Sequence, residues 1–127
     1  MHNIQGSRRE AMLAMLSPDA RHGTGPLARL MQGGGLHCVF QPLADLREGT
    51  IYAHEALIRG PQGSPFHTPD VLLELARRER LLLDFELLCV FTALEQWGQS
   101  DAPGRLFVNI SADALVHGVT LLGTKAL

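Results

Sequence analysis

The sequence predicts an α/β protein, and three observations carry that prediction. Short apolar runs at 37–42, 51–58 and 106–110 have the length of buried strands rather than of helices. Two longer stretches with helical spacing, 69–79 and 82–97, separate the second run from the third. A strand reached from an earlier strand through helices is the grammar of a largely parallel sheet. Three strands neither close a barrel nor shield a parallel sheet on both faces, so the pattern reads as the opening of a larger fold.

Composition narrows the class. A chain of 127 residues is one domain or a piece of a larger one. With 46% hydrophobic and 19% charged residues it is not a disordered chain. A net charge of −2 provides no basic field for nucleic acid or an anionic membrane, so a ligand has to be recognised by a local site. The opening MHNIQGSRRE lacks the apolar centre of a signal peptide. The longest apolar run, Leu81 to Leu94, is interrupted by Asp84 and Glu86 and is no membrane span. Cys38 and Cys89 sit inside apolar runs and read as buried free thiols. Together these predict a soluble chain in the reducing cytoplasm.

The elements follow in order. Residues 1–35 form a polar head, set apart from 36–127. Within it Arg8 to Leu16 predicts a short helix ended by Pro18, and Leu27 to Met31 a further turn or two. Gly33-Gly34-Gly35 reads as a joint. LHCVFQP reads as a buried strand closed by Pro42, and TIYAHEALIRG as its antiparallel partner across a turn at 43–49. After a loop at 60–69, Thr68-Pro69-Asp70 is a helix start: a hydroxyl cap, proline at the first position, and an acid at the positive dipole end. That helix is expected to bury Val71, Leu72, Leu75 and Ala76. The helix over 82–97 is apolar on most sides and should pack between other elements. A loop at 98–104, the strand LFVNIS and a helix beginning at Ala112 complete the chain.

The second strand is the most informative segment. Period-two alternation puts Ile51, Ala53, Glu55, Leu57 and Arg59 on one face, and Tyr52, His54, Ala56 and Ile58 on the other. Both faces are largely apolar, which predicts burial on both sides. Glu55 then needs a metal, an arginine or a proton, because an unpaired buried carboxylate is costly. It is either half of a structural pair with Arg59 or a functional acid. On the third strand Asn109 shares a face with Phe107 and Ser111. Asparagine is depleted in strands, and here it stands at a carboxyl end, where α/β folds place their sites. It is either a hydrogen-bonded amide at a strand end or an oxygen ligand for a hard cation. Gly118 to Lys125 is a near miss to a phosphate loop, with threonine where the motif needs lysine. The six histidines show no paired ligand spacing, and most of them read as surface or satisfied core residues.

FQPLADLREGTIYAHEALIRG resembles the opening of EAL domains, with Gln41-Pro42 on one strand and Glu55-Ala56-Leu57 with Arg59 on the next. LFVNIS, with Asn109, is similar to the family's following landmark, and the likeness spans about residues 26 to 118. The loop GPQGSPFHTP resembles the subset whose EAL domain precedes a GGDEF domain. The resemblance implies a (β/α)8 barrel variant, of which this chain is the opening portion, and hydrolysis of cyclic di-GMP to a linear dinucleotide. It implies Glu55 and Asn109 as ligands of Mg²⁺ or Mn²⁺, Glu55 as the catalytic residue, Arg59 as a phosphate contact, and Gln41 and Leu57 as positions lining the ligand. A barrel of this kind needs about 250 residues. The family's remaining acids and its lysine lie beyond the asparagine strand, where this sequence offers only Asp113 and Lys125. The chain alone is therefore expected to be inactive and to self-associate through its open edge. The alternative is a degenerate module that binds the dinucleotide or a protein partner without turnover.

Overall fold

A three-stranded sheet occupies the middle of the chain, in the order β1 (His37–Asp45), β2 (Thr50–Arg59), β3 (Arg105–Phe107). The computed structural model describes residues 4–101 and 104–122. Residues 102–103 of the expected second loop lie outside them, as does 123–127, including Lys125 of the phosphate-loop near miss. Helices α1 (Ile4–Ala14), α2 (Pro18–His22) and α3 (Pro26–Gly33) precede the sheet. Helices α4 (Pro69–Arg78) and α5 (Leu82–Gln99) cross from β2 to β3, and α6 (Ala112–Leu122) follows. As expected, β1 pairs antiparallel with β2, and β2 parallel with β3.

The strands differ from expectation in their ends. β1 does not stop at Pro42 but runs on to Asp45, with Pro42 opposite His54. It is an edge strand, where a residue without an N–H is tolerated. Beyond it Asp45 Oδ1 accepts from the Arg47 and Glu48 amides at 2.9 and 3.3 Å, which closes the hairpin turn. Leu43 faces Ala53 while Ala44 faces Ile51, so Tyr52 is the extra residue of a bulge. β3 is shorter than 106–110, pairing only Arg105–Phe107 and leaving Asn109 and Ile110 beyond the ladder. The chain leaves the sheet there because Ser111 is held by Glu86 of α5, its amide at 2.9 Å and its hydroxyl at 2.7 Å.

One face of the sheet is covered by α5. Cys38, Ala56 and Ala93 form a small core there with Phe40, Ile58, Leu106 and Val108 packed around it. Trp97 meets Phe40 edge-on and His54 at a tilt, each with ring centroids 5.3 Å apart. Gln96 takes both backbone groups of Cys38, accepting from its N–H at 2.6 Å and donating to its carbonyl at 3.0 Å. The amide thus serves the edge strand as a further strand would. β2 is not buried on both faces: Ile51 and Tyr52 are 58% and 44% exposed, because no described element covers the sheet opposite α5. His54 also departs from a satisfied core histidine, since its buried Nδ1 has no hydrogen-bond partner.

The larger core lies on the far side of α4 and α5, where Leu27 and Met31 of α3 meet Leu72 of α4, Leu81 and Phe85. α1 starts and ends earlier than Arg8–Leu16. Pro18 ends no helix but opens α2 at its first position, with Ser17 as N-cap accepting from the Ala20 amide. α3 runs through Gly33, so the joint is Gly34-Gly35, with Gly34 at φ +77°. The start of α3 has no cap of its own, and Glu79 at the end of α4 supplies one, accepting from the Leu27 and Ala28 amides at 2.9 and 3.1 Å. Thr68 occupies the cap position of α4 but its hydroxyl makes no capping bond. Leu72 and Ala76 are buried as expected, whereas Leu75 is half-buried and Val71 exposed. Asp84, only 5% exposed, accepts from the Ser17 hydroxyl and lies 3.8 Å from His117, tying the α1–α2 joint and α6 to the start of α5.

Gly60 ends the strand that carries Glu55. Its amide donates to the His67 carbonyl at 2.9 Å, closing the 60–67 loop onto the sheet. A Cβ at Gly60 would lie 1.8 Å from the Phe66 carbonyl oxygen, whereas Gly49, at φ +68°, has open space around it. Gly60→Ala should therefore cost about 2 kcal/mol or more, through a clash with rigid backbone. Gly49→Ala should cost only about 1 kcal/mol, through the left-handed backbone alone. Urea unfolding of the two variants checks both the sizes and the order.

Candidate functional site at the carboxyl ends of the parallel strands

The residues singled out in the sequence share the uncovered face of the sheet. Pairing places Gln41 opposite Glu55, Val39 opposite Leu57 and His37 opposite Arg59. Directly opposed residues hold their Cβ atoms about 5 Å apart on one face. Glu55 also lies beside Phe107 across the parallel pair. Gln41 and Asn109 are exposed, Glu55, Leu57 and Arg59 half-buried, and Phe107 is 44% exposed. The bulge at Tyr52 lets its ring meet Phe107 edge-on at 6.2 Å, at the far end of the same strands.

Asn109 closes the site. Its Nδ2 donates to Glu55 Oε2 at 2.9 Å, although 54 residues separate them. Glu55 is therefore not half of a structural pair with Arg59. Arg59 donates instead to the Ile58 carbonyl at 2.8 Å, and no Glu55–Arg59 ion pair forms. The contact uses the nitrogen of Asn109, which leaves its Oδ1 and the second carboxylate oxygen of Glu55 for another partner. A carboxylate and an amide oxygen side by side suit a hard, oxygen-seeking cation such as Mg²⁺ or Mn²⁺. They would supply only part of such an ion's shell: among the described residues no three His, Cys, Asp or Glu side chains cluster as a metal cage.

Two neighbours of the site were not anticipated. Ser111 caps α6, its Oγ accepting from the Ala114 amide at 3.1 Å, and Glu86 holds Ser111. Serine ahead of a helical run with Asp113 in its first turn is a readable cap signal. Nothing in the sequence pairs it with Glu86, 25 residues earlier.

A short parallel ladder reached through a helical crossover, with an acid and an amide at the ladder's carboxyl end, defines an α/β protein of the kind whose sites sit at strand ends. The chain belongs to the EAL domain family, whose profile matches residues 26–122. It is 37% identical to cyclic di-GMP phosphodiesterase PA2567 of Pseudomonas aeruginosa over 61% of this chain and 14% of that protein. Its fold is similar to the EAL domain of Xanthomonas citri FimX, a structure solved with c-diGMP bound, at a TM-score of 0.55 and 17% identity. That match covers 94% of this chain and 46% of the FimX chain. The chain thus spans less than half the length of either protein. Among the described residues no helix is long and apolar enough to cross a membrane.

Behind the site, between the sheet and α4 and α5, a cavity of about 290 Å³ is lined by both cysteines, Leu57 and Asn109. Both thiols are free, as expected, Cys38 buried and Cys89 half-buried. Burial pushes Cys38 up to about 11 against the opposing pull of the Arg59 charge. It pushes Cys89 higher still, with Cys38 and Glu86 adding to the effect. Neither is a nucleophile at neutral pH, where the thiolate is the reactive form. Because the folded values lie above the unfolded value of about 8.5, the thiols' contribution to stability is fully present below that pH and is lost as pH rises through the folded values. Unfolding midpoints should therefore fall from about pH 8.5 to 11, and less steeply in Cys38→Ala. Iodoacetamide at pH 8 should modify the folded chain at least about tenfold more slowly than the urea-unfolded chain. Equal rates would show the thiols to be accessible and ionised.

Proposed function

We propose that this chain is the opening portion of a (β/α)8 EAL domain that binds cyclic di-GMP and hydrolyses one of its phosphodiester bonds to give the linear dinucleotide. The observation that carries the reading is the 2.9 Å contact between Asn109 and Glu55 at the carboxyl end of the parallel ladder between β2 and β3. Such ends line the active face of barrel enzymes. It is supported by membership of the EAL family, by a phosphodiesterase relative, and by a similar fold solved with the dinucleotide.

Each residue then has a role. Glu55 and Asn109 would hold Mg²⁺ or Mn²⁺. When bound, such an ion supplies Lewis-acid stabilisation of the phosphate and an activated water. Arg59 stands last on β2, on the same face, and its planar fork of donors suits a phosphate oxygen pair. To reach one it exchanges its bond to the Ile58 carbonyl for a charge-assisted one. Leu57 and Gln41 give the ligand an apolar and a polar contact to either side of Glu55. The domain acts in the cytoplasm, and a GGDEF domain accompanies it in a longer protein.

By itself the chain binds metal weakly and does not turn over, because the described residues bring no third acid to Glu55 and Asn109. Purified 1–127 should release no linear dinucleotide with Mg²⁺ or Mn²⁺ in a chromatographic assay. In a protein carrying the whole domain, Glu55→Ala or Asn109→Ala should lower kcat by more than about a hundredfold, beyond the effect of losing a ligand's supporting partner. Arg59→Ala should mainly raise KM, by about ten- to a hundredfold, the worth of a hydrogen bond to a charged group. Turnover by 1–127 that Glu55→Ala abolishes would overturn this assignment of the missing ligands.

Among the described residues nothing covers the open face or pairs with the far edge of β3, which also predicts self-association. Sedimentation at tens of micromolar should show dimers or larger species, and a clean monomer would contradict it.

A further inference from the structure

We propose that Glu86 is a positioning residue for Asn109: by clamping Ser111 to α5 it sets the amide of Asn109 against Glu55. The strand ladder cannot do this, because β3 ends at Phe107 and Asn109 lies two residues beyond the last paired position. What fixes Asn109 is an anchor on either side. Upstream, Val108 packs against the small core formed by Cys38, Ala56 and Ala93. Downstream, both oxygens of the Glu86 carboxylate are used on one residue, accepting the Ser111 amide at 2.9 Å and the Ser111 hydroxyl at 2.7 Å. A bidentate grip on a backbone amide and its own side chain fixes where the backbone lies and how it is turned. Bonds to a charged acceptor are also the stronger ones. Glu86 itself stands on α5, the helix that covers the opposite face of the same sheet, so the clamp measures Asn109 against the strand that carries Glu55.

The Ser111 hydroxyl has a second duty as cap of α6, accepting the Ala114 amide at 3.1 Å. Cap and clamp can therefore be separated by mutation. Ser111→Ala removes the cap and one arm of the clamp but leaves the bond from the Ser111 amide. Glu86→Ala removes both arms. Glu86→Gln keeps the length and an oxygen that can accept the amide.

The bearing of this inference on catalysis rests on the proposed metal-binding role of Glu55 and Asn109, but the clamp itself does not. The test is nuclear magnetic resonance on the isotopically labelled chain, reading the cross-peak between the Asn109 side-chain amide and the Glu55 side chain. Backbone cross-peaks of the Ala53–Arg105 pairing report that the sheet is intact. With the sheet intact, Glu86→Ala should lose the Asn109–Glu55 cross-peak, while Glu86→Gln and Ser111→Ala keep it. Survival of the cross-peak in Glu86→Ala would overturn the proposal. So would its loss in Ser111→Ala with retention in Glu86→Ala, which would make the cap of α6 the cause. Loss of the pairing cross-peaks in Glu86→Ala would also count against it, since Glu86 would then be needed for the fold as a whole. A second arm adds Mn²⁺ to the wild-type chain and follows paramagnetic broadening of the same amide. No broadening with the cross-peak intact would count against the metal-binding role and leave the clamp standing.

Discussion

Parallel strands cannot be joined by a tight turn, so β3 reaches the side of β2 only through the α4–α5 crossover, and α5 packs on the sheet behind them. The ladder between them is three residues long and parallel pairing is the weaker kind, so the backbone bonds alone do not hold β3 in place. Packing does. Ala93 on the helix and Ala56 on the strand are small enough for close approach, and Leu106 and Val108 are seated in the layer they define. A fully buried side chain of that size stabilises by about 1.5–3 kcal/mol, and these two, half-buried, contribute a share of it. The same helix takes the edge of β1 through Gln96 and the end of β3 through Glu86. The strands that carry the open face are therefore held from behind.

Polar groups fix how α5 sits among the other helices. Asp84 is buried in its first turn, where the positive end of the helix dipole favours a carboxylate. An isolated buried acid would be costly, and the Ser17 hydroxyl relieves that cost while fixing the start of α2. Arg9 makes a comparable link, donating to the Met31 and Gln32 carbonyls at the end of α3, where a cation is favoured. Burial lowers its tendency to hold a proton, and these carbonyls offset that. Glu79 caps α3 from α4 in the same manner. Both ends of α3 are thus tied to other helices, its start by Glu79 and its end by Arg9.

This dependence on distant partners marks the boundary of what the sequence discloses. Period-two spacing was enough to place Glu55, Leu57 and Arg59 on one face, and helical spacing to find α4 and α5, because those signals are local. Pro42 misled because tolerance of proline depends on whether a strand lies at an edge, which only the assembled sheet decides. The apolar pattern of the third strand extends beyond its ladder because Glu86, which pulls the chain away, is remote in sequence. Pro18 reads equally well as a stop or a start, and the Ser17 cap decides for the start. Burial of β2 on both faces was inferred from its apolar content, yet apolar content says only that a strand is able to be covered. Of the site, the residues were legible, but the partner of Glu55 was not. Arg59 was nearer in sequence, and Asn109 needed the parallel register to arrive.

That choice of partner shapes what the site can do. An arginine against Glu55 would cancel its charge and leave a closed ion pair, stable but inert toward a cation. The Asn109 amide holds the carboxylate in place with a neutral donor, so the negative charge of Glu55 stays available on the open face. Arg59, turned to the Ile58 carbonyl, remains a separate positive group at the end of the same strand. Glu55 and Arg59 share a face four residues apart on β2, about 13 Å between their backbones along its axis. At that distance the two charges do not neutralise each other, and each remains able to attract an ion of opposite sign. A phosphodiester accompanied by a divalent metal presents that pair of charges. The spacing of Glu55 and Arg59, with Asn109 as the neutral brace, therefore ties the proposed chemistry to this particular strand.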